Sequence, residues 1–214
     1  MGKPLVCVSG FSQFLDYPEN PTALLLPELN AMEHEAFELK TTLLETSYEH
    51  ADRYVDAMLN LSPDVIIMLG QSAKAKGVTL EQYAKNQVSQ TINDVDNKVG
   101  QLPGYSNKPA IYKSAICVDS LHRSIRNKVT VTVPIVTSQD AGDYVCNYIY
   151  YKTLDAFQDK NCKVLFIHIP FFREQRDDLN AEALKDARAC ALEKEDIFAT
   201  IYRMIETIIQ DILP

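Results

Sequence analysis

The chain has 214 residues, 46% of them apolar, which is enough to bury a sizeable core in one domain. Acidic residues number 29 against 21 basic ones, a net charge of −8 that argues against nucleic acid or an anionic membrane as partner, since both select basic surfaces. No apolar run approaches the roughly 18 residues needed to span a bilayer, and five widely spaced cysteines without a C-x-x-C motif fit reduced thiols in the cytoplasm.

Taken in chain order, strand and helix signals alternate. "PLVCVSG" (4–10) is a short apolar run ending in glycine, and "FELKTTLLET" (37–46) has partial period-two alternation with many β-formers. "SYEHADRYVDAMLNL" (47–61) predicts a helix with Ala51, Tyr54, Val55, Met58 and Leu59 on one face, closed by Pro63. "DVIIMLG" (64–70) predicts a buried strand. Residues 87–113 are polar and rich in Asn, Gly and Pro, and predict a long excursion from the core. "VTVTVPIVTS" (129–138) predicts a strand bent at its proline, followed by a helix running to about Phe157 and then the strand "KVLFIHIP" (163–170). The last segment places Ile197, Ile201, Met204, Ile205, Ile208, Ile209 and Ile212 on one stripe of an amphipathic helix. Strands alternating with helices imply βαβ units, a mostly parallel sheet and helices on both faces. No repeat or linker divides the chain, so a single domain over 1–214 is expected.

The motifs of nucleotide binding are absent: there is neither G-x-G-x-x-G nor G-x-x-x-x-G-K-[ST], and only seven glycines. H-E-x-x-H and G-x-S-x-G are also missing, and the histidines and cysteines are too dispersed to suggest a metal site.

One thiol stands out. In "TSQDAGDYVCNYIYYK" (137–152), Cys146 falls in the first turn of a helix that follows a strand. Ligands of open parallel sheets bind beyond the carboxyl ends of the strands. A helix N-terminus there offers positive partial charge and free N–H groups, which favour thiolate over thiol and accept a developing oxyanion. The alternative is a small buried apolar residue, the reading that Cys7, Cys117, Cys162 and Cys190 receive. A nucleophilic thiol needs a base. His168 ends the strand that follows the Cys146 helix, and a right-handed crossover would lay that strand parallel to the one before the helix, putting both residues at one carboxyl edge. Taken alone, His168 also reads as a satisfied core histidine. Glu81 is a candidate third member, but spacing alone does not separate it from the other acids.

"DAGDYVCNYIYY" and "FIHIPFFREQ" resemble the two signature segments of the pyroglutamyl peptidase I (pyrrolidone carboxyl peptidase) family. "SGFSQFLDYPENPT" resembles that family's N-terminal glycine–phenylalanine loop, and "LGQSAKAKGVTLEQYAKN" its glutamate-bearing segment, so the likeness runs in order along almost the whole chain. The resemblance implies a three-layer α/β/α sandwich with a mostly parallel central sheet. It implies a cysteine exopeptidase, an omega peptidase needing no metal or cofactor, that removes N-terminal pyroglutamyl residues. It assigns Cys146 as nucleophile, His168 as general base and acid, and Glu81 as the group orienting His168. It also implies a lactam pocket lined by Phe11, Phe14, Gln71, Ile92, Tyr144 and Val145, and family members that form tetramers make self-association an expectation. An aromatic slot with a few polar groups suits a flat, neutral lactam. The sequence departs from the family pattern at Gln13, where proline is usual, and at Ala75 and Thr91, where arginines are usual; Lys74 and Lys76 flank the first of these. Those departures leave open a relative acting on another small acyl or lactam amide, or a non-catalytic binding protein of the same fold.

Overall fold

A computed structural model describes residues 2–14, 19–100, 107–128, 133–178 and 192–212. Its strands are β1 (Leu5–Phe11), β2 (Glu38–Leu44), β3 (Val65–Gln71), β4 (Val78–Glu81), β5 (Tyr83–Lys85), β6 (Ile111–Lys113), β7 (Ile135–Ser138) and β8 (Lys163–Ile169). Its helices are α1 (Pro21–Ala31), α2 (Tyr48–Leu61), α3 (Val118–Lys128), α4 (Val145–Phe157) and α5 (Lys194–Ile212), with a 3-10 helix over Arg173–Asp178.

Six strands form one sheet in the order β2-β1-β3-β8-β4-β7, and β5 and β6 form a separate antiparallel pair. Period-two alternation divides the strand side chains between two faces. Val6, Val8, Ile67, Leu165 and Ile167 pack under α1, α3 and α5, whereas Cys7, Ile66, Met68, Val164 and Phe166 pack under α2 and α4. The two apolar layers are continuous, giving the expected three-layer α/β/α sandwich. β1, β3 and β8 are buried on both sides, which is why they read as unbroken apolar runs.

The helix faces follow the sequence pattern. Ala51, Tyr54, Val55 and Met58 are buried and Leu59 is half-buried, and α2 ends at Ser62 in the left-handed region (φ 52°) just before Pro63. In α5, Ile197 through Ile209 of the apolar stripe are buried; the side chain of Ile212 lies outside the described residues, as do 129–132 of the bent strand and Cys190. Among the described residues no helix is long and apolar enough to cross a membrane.

Several elements escape the sequence pattern. α1 is apolar on several sides and contains Pro27, so it lacks an amphipathic period. β4 has only four residues. Its placement corrects one expectation: β8 is not parallel to the strand before the Cys146 helix. β4 lies between the two, parallel to β7 and antiparallel to β8, so β7 and β8 run in opposite directions. The crossover rule was applied as if the strands flanking α4 were neighbours; the short strand contributed from further up the chain occupies that slot. A second correction concerns Cys117, which is exposed at the start of α3 with Ser120 Oγ donating to its sulfur at 3.2 Å, while Cys7 and Cys162 are buried as expected.

Within the excursion after β5, the buried Asp94 organises the chain. Its Oδ1 accepts from the N–H groups of Asp96 and Lys98, both at 2.9 Å, and its Oδ2 from Tyr48 N at 3.0 Å. This pins residues 94–98 to the N-terminus of α2, beside the end of β2.

Candidate active site

Cys146 is the second residue of α4. The chain approaches it through linked turns: Asp140 N donates to Ser138 Oγ at 3.1 Å, Gly142 N to Asp140 Oδ1 at 3.1 Å, and Gly142 takes φ 87°. Only glycine adopts that φ readily. Tyr144 is the N-cap in extended conformation, with no side-chain capping bond, and its carbonyl accepts from Tyr148 N at 3.0 Å. The first-turn N–H groups around Cys146 therefore have no side-chain cap competing for them. This is the donor arrangement that a developing oxyanion requires.

His168 is the penultimate residue of β8, 8% exposed, on the same sheet face as Phe166 and α4. Its position relative to Glu81 follows from the antiparallel pairing. Thr79 faces His168 and Glu81 faces Phe166, so Glu81 and His168 are diagonal neighbours on one face. His168 Nδ1 donates to Glu81 Oε1 at 2.8 Å. That leaves Nε2 available to Cys146, which lines the same cavity as His168. Burial by itself pushes the imidazolium toward losing its proton. The contacts with Cys146 and Glu81 outweigh it and raise the His168 pKa from 6.5 to about 9. Glu81 is 2% exposed, and its Oε2 has no partner among the described residues.

The surrounding packing fixes these groups. The fully buried Tyr150 donates from its hydroxyl to the Glu81 carbonyl at 2.8 Å, tying α4 to β4. Its ring centroid lies 5.7 Å from that of Phe166, which in turn lies 4.8 Å from the His168 ring. Gly70 faces His168 across β3 and β8; a Cβ there would come within 2.7 Å of the Phe166 ring and 3.1 Å of His168 Cδ2. Asn147, wholly buried, accepts from Lys85 N and donates to the carbonyls of Lys85 and Gln87, holding the first turn of α4 against the strand after Glu81.

Cys146 sits where two cavities meet. The smaller, about 370 Å³, is lined by Phe11, Phe14, Gln71, Ile92 and Tyr144 together with Asn20, Thr46 and residues 72–74. Phe14 and Tyr144 have centroids 4.9 Å apart, and Tyr144 donates to the Asn93 carbonyl at 2.8 Å. The larger, about 630 Å³, holds Glu81 and His168 and is lined by residues 74–76, 138 and 140–144. Of the residues assigned to the lactam pocket, Val145 lies elsewhere: its side chain is fully buried in the layer between α4 and the sheet.

Two polar pocket residues were not read from the sequence. Thr46 is 4% exposed and its Oγ1 has no partner among the described residues. Asn20 caps α1 through Thr22 N at 3.0 Å. Asn20 before Pro21 is a helix-start signature, and Thr46 follows the carboxyl end of β2, the edge where ligands bind. Either signal could have flagged them. Ala75 is 8% exposed in the wall of the larger cavity, and Thr91 N donates to Ser89 Oγ at 3.4 Å. Among the described residues no cluster of three His, Cys, Asp or Glu side chains could hold a metal ion.

Known proteins resemble this chain in sequence and in fold. The family model for pyroglutamyl peptidase matches residues 5–211. A pyrrolidone-carboxylate peptidase of Halalkalibacterium halodurans is 30% identical, over 90% of this chain and 98% of that protein. One from Brevibacillus brevis is 26% identical, over 95% and 92%. Among solved structures, the pyrrolidone carboxyl peptidase of Fervidobacterium islandicum AW-1 superposes with a TM-score of 0.86 at 23% identity, covering 97% of this chain and 99% of that one. The pyroglutamyl peptidase I of Bacillus amyloliquefaciens gives 0.81 at 23% identity, covering 97% and 96%.

Proposed function

The chain belongs to the pyroglutamyl peptidase family, and from that premise we propose that it removes N-terminal pyroglutamyl residues from peptides through Cys146, His168 and Glu81. The observation that carries the assignment of roles is the position of Cys146. Cys146 lies at the seam between an aromatic cavity and a more polar one that also holds His168 and Glu81.

The lactam ring occupies the aromatic cavity, where Phe11, Phe14 and Tyr144 match a flat uncharged ring and Thr46 offers an unpaired hydroxyl to its polar edge. The Cys146 thiolate attacks the pyroglutamyl carbonyl carbon. The tetrahedral oxyanion is held by first-turn N–H groups of α4. Protonated His168 gives its proton to the departing amine as the C–N bond breaks, leaving a thioester on Cys146. Water, deprotonated by His168, then attacks the thioester, and free pyroglutamate leaves as the thiol is restored. Glu81 holds the imidazole in the tautomer that turns Nε2 to the sulfur and stabilises the imidazolium. The chain works as one catalytic unit in the cytoplasm, where the free thiols of Cys7, Cys117, Cys146 and Cys162 would stay reduced.

The test is release of an amine fluorophore from a pyroglutamyl amide by the purified, reduced protein, beside a Cys146→Ser control and matched prolyl and alanyl amides. Hydrolysis confined to the pyroglutamyl amide, and lost in the variant, is expected. A folded wild-type protein that leaves the pyroglutamyl amide intact would refute the assignment.

A further inference from the structure

The larger cavity lies on the His168 side of Cys146, and the departing amine must lie there to receive the imidazolium proton. We propose that Lys74 and Lys76 make this cavity a carboxylate-receiving subsite, so that the chain prefers pyroglutamyl substrates whose leaving portion carries a carboxylate within one residue of the scissile bond. The proposal rests on the pyroglutamyl peptidase reading and names a substrate class within it.

Both lysines stand on the turn between β3 and β4, and both side chains are exposed. Lys74 lines both cavities and Lys76 the larger alone, so the pair runs outward from the seam at Cys146. Neither has an ion-pair partner among the described residues. The other charges at this cavity are mostly committed. Glu81 is bound to His168, and Asp140 is held by Lys85 at 2.8 Å and by Gly142 N. Those contacts lower the Asp140 pKa, the Lys85 bond most of all. Asp143 is the remaining acid in the lining, one carboxylate against two ammonium groups.

The turn is also fixed at both ends, which limits the ordering that binding requires. Ser72 N donates to the Ile169 carbonyl at 2.9 Å and Ala75 N to the Ser72 carbonyl at 3.1 Å. Gly77 packs so closely on Pro134 that a Cβ would stand 2.1 Å from its carbonyl oxygen. On a chain of net charge −8, two adjacent uncommitted cations beside the nucleophile form a local field of the sign a carboxylate needs. Because the lysines are exposed, the preference is modest and sensitive to salt.

The experiment compares kcat/KM for pGlu-Asp-NH2, pGlu-Ala-NH2, pGlu-Lys-NH2 and pGlu-Ala with a free carboxylate. The carboxylate-bearing substrates are expected to exceed pGlu-Ala-NH2 by about three- to tenfold, with pGlu-Lys-NH2 below it. A gain for the aspartyl amide alone assigns the subsite to a side chain; a gain for the free acid alone assigns it to the C-terminus of a dipeptide. The ratios should fall toward one in Lys74→Gln/Lys76→Gln. In wild type they should also fall at about 0.5 M NaCl, where the screening length is a few ångström, an arm that needs no folded variant. Equal rates on all four substrates would overturn the subsite while leaving the peptidase reading intact. No hydrolysis of any of them would overturn the peptidase reading and the subsite with it.

Discussion

His168 holds its proton more tightly in the folded site than a free imidazole does. Its pKa is raised from 6.5 to about 9, so the folded protein holds the proton more tightly than the unfolded chain. The stability this contributes is fully present below about 6.5 and is lost as pH rises through about 9. In the proposed mechanism the same proton serves the leaving amine, so kcat/KM should fall above about pH 9. Glu81→Gln removes one of the contacts that raise this pKa, and the alkaline limb of a pH–rate profile should move to lower pH. Activity at its optimum should drop about a hundredfold or more, because the amide also stops enforcing the tautomer. An unmoved limb would show that Glu81 does not set the charge on His168. Gly70 gives a second test at this scale. Gly70→Ala drives a Cβ into the Phe166 ring, which is wedged between Tyr150 and His168. The expected cost is about 1–3 kcal/mol in urea unfolding, with a fall in kcat as the imidazole is displaced.

The elements explain how residues 60 or more positions apart meet. α4 carries Cys146, the proposed nucleophile, and two buried contacts seat it: Tyr150 on the Glu81 carbonyl, and Asn147 on the backbone of 85–87. Asn147→Ala leaves three backbone groups without their partner. It should lower stability by about 2–4 kcal/mol, read as a reduced urea midpoint with unchanged slope. Tyr150→Phe deletes one hydroxyl and keeps the ring, so it should cost about 1 kcal/mol and reduce kcat more than it changes KM. At this scale the sequence was partly legible. The end of an apolar strand and the start of a helix are local signals, and they singled out His168 and Cys146. Glu81 carried no such signal. Its role depends on β4, four residues long, pairing antiparallel to β8. The parallel arrangement expected from the crossover rule offered a different reason for the Cys146–His168 encounter than the one the fold supplies.

For the whole molecule, the two apolar layers divide the work. The layer under α2 and α4 supports the site, and the layer under α1, α3 and α5 lies on the opposite face of the sheet. Ile67 is fully exposed to that second layer and fully hidden from solvent. Ile67→Ala should therefore lower stability by about 2–5 kcal/mol while leaving kcat/KM near the wild-type value under native conditions. The chain lacks tryptophan, so circular dichroism is the suitable probe. Composition and the apolar periods of the strands and helices determined by themselves a mostly parallel sheet with helices on both faces, because burial on both faces of a sheet leaves continuous apolar runs in the sequence; the sandwich came from the family resemblance. The resemblance of its short motifs named Cys146, His168 and Glu81. The insertion of β4 between β7 and β8 was decided only by the tertiary structure, as were the departure of Val145 from the pocket and the meeting of two cavities at one thiol. Those features depend on pairing between distant segments, and a four-residue strand carries too few side chains to declare its partner.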